Sequence, residues 1–171
     1  VKAGDVIKVG KTVELECMDT PGHTMCHICL RSHTDEPALF SGDTLFNAGA
    51  GNCHNGGNAE QMYNTFVDQL AKLPDNTRVY AGHDYIENNL RFTLAREPDN
   101  AAAKTLLPEV TAQDPARARV TTLQEEKQIN TFLRLSSPSV IAALREVFPD
   151  LPDKPDAKTV FVKLRELRNQ W

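Results

Sequence analysis

Several things are missing from this chain of 171 residues, and each absence removes a class of function. No apolar run reaches the roughly 18 residues needed to cross a bilayer, and no signal-peptide pattern opens the sequence, so a membrane is not expected as a partner. There is no dense Lys/Arg run and the net charge is −4, which argues against nucleic acid. The four cysteines form no disulfide framework, so a reducing cytoplasm is the expected setting. Internal repeats and low-complexity tracts are absent too. Hydrophobic content of 40% and charge of 25% are ordinary for a globular protein with a substantial core.

Three short glycine-flanked segments carry most of the chemistry: TPGHT at 20–24, SGDT at 41–44 and AGHDY at 81–85. Each follows a stretch that reads as a buried strand, and each offers one metal-competent side chain, His23, Asp43 or His83. A turn after a strand is where a rigid sheet can hold a ligand still. Two imidazoles and a carboxylate on three such loops predict part of a hydrolytic metal centre. In such a centre a metal ion lowers the pKa of bound water from about 15.7 toward about 7. Asp43, with two oxygens, suits a bridging position; an imidazole serves one metal. Taken singly, each of the three could equally be a hydrogen-bonded turn residue, and it is their matched placement that favours the metal.

A competing pattern, H-x-x-C-H-x-C over His23, Cys26, His27 and Cys29, superficially resembles a structural zinc cluster. A segment this short cannot wrap a metal tetrahedrally while running as a strand, and no second knuckle completes it. Cys26 and Cys29 are therefore expected to be small buried residues, and His27 a support for the strand or for a ligand. Tyr85 lies close enough to His83 to meet a substrate group, though a lone tyrosine is more often packing. Arg134 could fork onto an anionic substrate or sit on a helix surface. His54, in the Gly/Asn-rich loop, is either a substrate contact or a solvated tip, and His33 is expected at the surface.

Period-2 alternation predicts strands around Val6–Val9 and Val13–Cys17, joined by the Gly10-Lys11 turn. Short strands follow at Ile28–Arg31, Ala38–Ser41 and Arg78–Ala81. Residues 47–58 are expected to be irregular and partly exposed. Ala59–Leu73 reads as a helix with Asn58 as its N-cap and Met62, Phe66, Leu70 and Leu73 on one face. After Tyr85 the pattern turns helical: Ile86–Arg96, a short stretch capped by Asp99 or Asn100, Leu123–Asn130, Ser139–Phe148 and Ala157–Gln170. Residues 108–122 read as a connection. The expectation is an α/β unit over 1–84 followed by a helical unit over 85–171. A hairpin opening at residue 1 needs neighbours to cover it, which suggests a piece of a longer protein.

The series TPGHT, FSGDTLF, VYAGHDY and INTFLR resembles the second half of glyoxalase II, within the metallo-β-lactamase superfamily, across nearly the whole chain. The resemblance implies the second half of an αββα sandwich followed by a helical C-terminal domain that helps bind substrate. It implies a two-metal zinc site, with iron or manganese as alternatives, in which His23 and His83 are ligands and Asp43 is the bridging, catalytic carboxylate. Tyr85 and Arg134 match residues that contact glutathione, and Asn52 and His54 stand where a Lys and a Tyr usually do so. The implied reaction is hydrolysis of a glutathione thioester of the S-D-lactoylglutathione type to a hydroxy acid and glutathione. The family's THxHxDH motif is absent, so a missing N-terminal half is the expected partner. This stretch alone is expected to be largely inactive and prone to self-association. Two other readings remain: a persulfide dioxygenase-like mononuclear iron enzyme, and a binding module that has lost its metal site.

Overall fold

The computed structural model describes residues 1–171. Its strands are β1 (Val6–Val9), β2 (Val13–Asp19), β3 (Ile28–Ser32), β4 (Ala38–Gly42), β5 (Leu45–Phe46), β6 (Gly49–Ala50), β7 (Arg78–Ala81) and β8 (Thr121–Thr122). Six of them form one sheet in the order β1-β2-β3-β4-β7-β8, and β5 pairs with β6 separately. All neighbours are antiparallel except β4 and β7, which run parallel. A parallel pair needs a crossover, and helix α1 (Ala59–Asp68) lies on it. The parallel pairing brings the ends of β4 and β7 side by side, and with them the Asp43 and His83 loops.

The register fixes which face is core. Cys17 pairs with Leu30, Leu30 with Phe40, and Phe40 with Tyr80, so these four share a face. The alternate residues Met18, Cys29, Leu39 and Val79 belong to the main hydrophobic core, with Met62 and Phe66 of α1. Phe40 and Tyr80 stack with centroids 5.2 Å apart on the far side, and Phe40 is 42% exposed. Nothing in this chain covers that apolar ridge.

The remaining helices are α2 (Ile86–Arg96), α3 (Ala101–Thr111), α4 (Leu123–Ile129), α5 (Pro138–Val147) and α6 (Ala157–Arg168). Their starts follow local chemistry. Asn58, Asn100 and Asp156 cap α1, α3 and α6, Thr122 and Glu125 form a capping box on α4, and Pro138 opens α5 at its first turn. The main core runs through both halves, joining Phe66 and Val79 to Phe132, Val140 and Phe161.

Five local expectations need correcting. Residues 45–51 are buried almost throughout and carry β6; only the later part of the Gly/Asn-rich segment is open. Helix α3 continues through Pro108, because Leu106 and Val110 are buried on either side of it. Helix α1 ends at Asp68, and a 3-10 turn at Leu70–Lys72 carries the apolar face on to Leu73. Strand β8 was invisible because two residues are too few to show alternation. Cys29 is buried as expected, whereas Cys26 is exposed, since β3 starts only at Ile28.

Candidate metal centre

His23 stands on the turn after β2. Its Nδ1 lies 2.7 Å from the carbonyl oxygen of Asn52. A carbonyl can only accept, so Nδ1 carries the proton and Nε2 keeps its lone pair. That lone pair faces Asp43 Oδ2 at 3.6 Å. Asp43 follows β4 after Gly42, which takes φ +50 to turn the chain. His83 follows β7, and its Nε2 faces the other oxygen, Asp43 Oδ1, at 3.5 Å.

These separations are informative. They exceed ordinary N–H···O hydrogen-bond lengths of about 2.7–3.2 Å. They are close to the roughly 3.3 Å between two ligands bonded at about 2.0–2.1 Å to one tetrahedral metal. The donor set therefore fits a metal at each oxygen of Asp43. No three His, Cys, Asp or Glu side chains converge on one point, because each imidazole meets a different oxygen. This chain supplies one nitrogen and one shared carboxylate to each position, about half of a tetrahedral shell.

The surroundings hold these groups in place. His27 Nε2 accepts from the Asp43 backbone N–H at 3.3 Å, so its Nδ1 bears the proton and donates to Thr44 Oγ1 at 2.9 Å. Burial keeps the His27 imidazole below its ordinary pKa, helped by the nearby His23 and opposed by Asp43. His27 is a support, as anticipated, and not a member of a zinc knuckle. A methyl group on Gly82 would sit 2.6 Å from Asp43 Oδ1, so only glycine lets the β7 turn pass the carboxylate. His83 stacks on Tyr85 with centroids 5.3 Å apart, and Phe46 meets both rings edge-on.

Beside this centre lies a cleft of about 210 Å³ lined by Phe46, Asn52, His54, Tyr85, Arg165 and Arg168, among others. It gathers Asn52 and His54 from one loop and Tyr85 from another.

The sequence profile of the family described as "Hydroxyacylglutathione hydrolase C-terminus" matches residues 84–171. The chain belongs to this family. A hydroxyacylglutathione hydrolase from Polaromonas sp. is 81% identical over the whole chain, and one from Nitrosococcus oceani is 65% identical over 169 residues. The chain spans 65% and 64% of the lengths of these two relatives. Among solved structures it is similar to ETHE1 from Myxococcus xanthus, with a TM-score of 0.56 and 26% identity over 98% of this chain and 58% of that one. A metallo-β-lactamase from Staphylococcus aureus aligns with a TM-score of 0.53 and 23% identity, over 98% of this chain and 42% of that one. The fold is thus that of the metallo-β-lactamases.

Within the segment that the family profile covers, the arginines divide in a way the sequence did not reveal. Arg134 does not line the cleft. It forks onto Glu97 with Nε–oxygen distances of 3.1 and 2.8 Å and Nη2–Oε1 of 3.0 Å, while Ser137 Oγ adds 2.6 Å to the same carboxylate. Glu97 is buried, and its charge raises the Arg134 pKa further through those hydrogen bonds. Arg134 is thus engaged in an internal ion pair and stands outside this cleft. Arg165 and Arg168 of α6 line the cleft instead. Burial lowers the pKa of both, that of Arg165 to about 10 with Arg168 contributing, and no carboxylate offsets it. Their spacing of three residues on a helix was the available signal, because it puts both on one face.

Proposed function

We propose that this chain takes part in metal-dependent hydrolysis of a glutathione thioester of the S-D-lactoylglutathione type, giving a hydroxy acid and glutathione. The observation that carries this reading is the Asp43 carboxylate, whose two oxygens each face an imidazole Nε2 at 3.5–3.6 Å. His23, Asp43 and His83 would hold one side of a two-metal site, with zinc the favoured ion and iron or manganese the alternatives. When bound, such metals polarise a thioester carbonyl and lower the pKa of water. Asp43 would balance positive charge on both ions when bound, and the Asn52 carbonyl keeps His23 in the tautomer that leaves Nε2 free to ligate.

The cleft supports glutathione as the thiol carrier. Arg165 spends most of its donors on the carbonyls of Ala50 and Gly51 and on Asn169, so it contributes mainly positive potential. Arg168 donates to Asn89 Oδ1 at 3.2 Å and keeps other N–H groups for a carboxylate of the substrate. The Tyr85 phenol, 48% exposed, is open to a polar group nearer the metals. The family match over 84–171 favours the hydrolase over a persulfide dioxygenase-like reading.

Two donors per metal position make activity of this stretch alone weak. The apolar ridge of Leu30, Phe40 and Tyr80 is where a second layer of the sandwich, or else a second copy of the chain, would pack. The test is zinc-dependent hydrolysis of S-D-lactoylglutathione by this chain alone and mixed with the part of the Polaromonas relative that it does not cover. Turnover that appears in the mixture and disappears with Asp43→Asn supports the proposal. Turnover indifferent to Asp43→Asn, or none in a mixture shown to associate, refutes it.

A further inference from the structure

We propose that Glu126 is a positioning residue for the candidate metal centre: its buried carboxylate fixes the backbone of residues 47–51 and, through it, the imidazole of His23. The inference rests on the reading of His23 as a ligand, but the positioning itself can be measured without metal.

Glu126 lies on α4 and is 0% exposed. Its Oε1 accepts from Ala48 N at 3.0 Å and Thr121 Oγ1 at 2.6 Å; its Oε2 accepts from Ala48 N at 2.9 Å and Asn130 Nδ2 at 2.8 Å. No cation balances it. The one charged group acting on it is Glu125 of the same helix, which pairs with Arg119. A buried carboxylate held only by neutral donors is costly, and an apolar side chain in its place would avoid that cost. What the carboxylate secures is geometry. Ala48 has φ +58, the left-handed region that a residue with a Cβ disfavours. Both oxygens of Glu126 converge on its single N–H and hold the 47–48 peptide in that orientation.

The grip continues along the loop. Asn130 also donates to Gly49 O at 3.0 Å, and Asn47 Nδ2 donates to Thr121 Oγ1 at 2.7 Å, so the same three residues hold both sides of Ala48. Arg165 then takes the carbonyls of Ala50 and Gly51, each at 2.8 Å. The next carbonyl, that of Asn52, receives the His23 Nδ1 proton. The loop also presses on the ligands directly. A Cβ on Gly51 would stand 1.7 Å from Asp43 O and 3.3 Å from His23 Nδ1. A shift of the loop is therefore transmitted to both ligands. The INTFLR segment acquires a role here through Asn130, and Arg134 has no part in it.

The experiment is NMR on the metal-free full chain with 15N-labelled histidine, following the His23 Nδ1–H proton and its exchange with solvent. Glu126→Gln keeps size but puts an NH₂ where both oxygens now accept. It is expected to displace that resonance and speed its exchange by about tenfold or more. Val140→Ala, a core truncation off the loop, is the control for lost stability. A resonance unmoved by Glu126→Gln, or moved as far by Val140→Ala, overturns the proposal. If Glu126→Gln does not fold, Thr121→Val is read in the same way: a smaller change in the same direction supports the proposal and no change overturns it. Because no turnover is measured, failure here leaves the hydrolase reading standing, and an inactive enzyme leaves this one standing.

Discussion

The sheet half and the helical half of this molecule treat their polar groups in opposite ways. In the sheet half, the side chains of His23, Asp43 and His83 are 14%, 31% and 53% exposed and face one another across gaps too wide for hydrogen bonds. In the helical half, Glu126, Asn130 and Arg165 are buried, and each makes several hydrogen bonds of about ordinary length. The three candidate ligands keep unused lone pairs, as groups proposed to take up a metal would; the groups in contact with the loop have theirs satisfied. The difference explains how the short, glycine-rich segment 47–51 beside the candidate ligands is held in place. Its order is supplied by partners far away in sequence, since free Gly-rich chain would not order itself.

The sharpest way to break the comparison is Asp43→Asn. If the open carboxylate is the shared metal ligand, zinc-dependent thioester turnover should fall by at least about 100-fold, given that even residues behind a ligand cost 10–100-fold. Steady-state kinetics checks this, and near-normal turnover would leave the ligand set without support. Next in size is Arg134→Ala, which strands the buried Glu97 charge. It should cost about 3 kcal/mol, a fall in Tm of roughly 6–12 °C, with little change in KM. A raised KM at unchanged Tm would return Arg134 to the substrate.

The buried carboxylate makes a smaller, signed prediction. Burial raises the Glu126 pKa from 4.5 to about 7, so the native state binds its proton more tightly than the unfolded state does. The contribution of this group to stability is present in full below pH 4.5 and is lost as pH rises through about 7, on the order of 2 kcal/mol over that interval. Urea midpoints measured against pH should show the decline in the native sequence, and Glu126→Gln should flatten it. Smallest is Arg168→Ala, which removes one charge-assisted contact worth about 1.5 kcal/mol, so KM should rise about tenfold. The kcat should hardly move, while Tm should fall by a few degrees because the buried Asn89 Oδ1 loses its donor. An equal fall in kcat would mean that Arg168 acts on the reacting end of the substrate instead.

How much was legible in the sequence depended on how local the cause was. The ends of β2, β4 and β7 were readable because alternation marks a half-buried strand and Gly marks the turn after it. Those two signals marked His23, Asp43 and His83 as matched side chains on three strand-end loops. The cap Asn58 was readable for the same reason, and that of α3 was narrowed to Asp99 or Asn100, since a cap acts within one turn. Residues 45–51 were not. NAGAG has the composition of an exposed loop, and its burial depends on Glu126, Asn130 and Arg165, which lie roughly 75 to 115 residues away. The partners of the arginines were hidden in the same way. Nothing within a few residues of Arg134 shows that Glu97 will meet it, and nothing near Arg168 shows that no acid will.

By itself, the sequence determined the secondary-structure alternation, the three strand-end loops and the metal-competent side chain on each, because all three follow from residue types within one strand or one turn. The tertiary structure decided the rest. The parallel β4–β7 pairing set Asp43 between two imidazoles, α6 brought Arg168 to the cleft, and the Glu97 carboxylate took Arg134 out of it. Those outcomes turn on which polar groups find partners when the two halves close on one core, and charge and hydrogen-bond pairing across that core has no local signature in the chain.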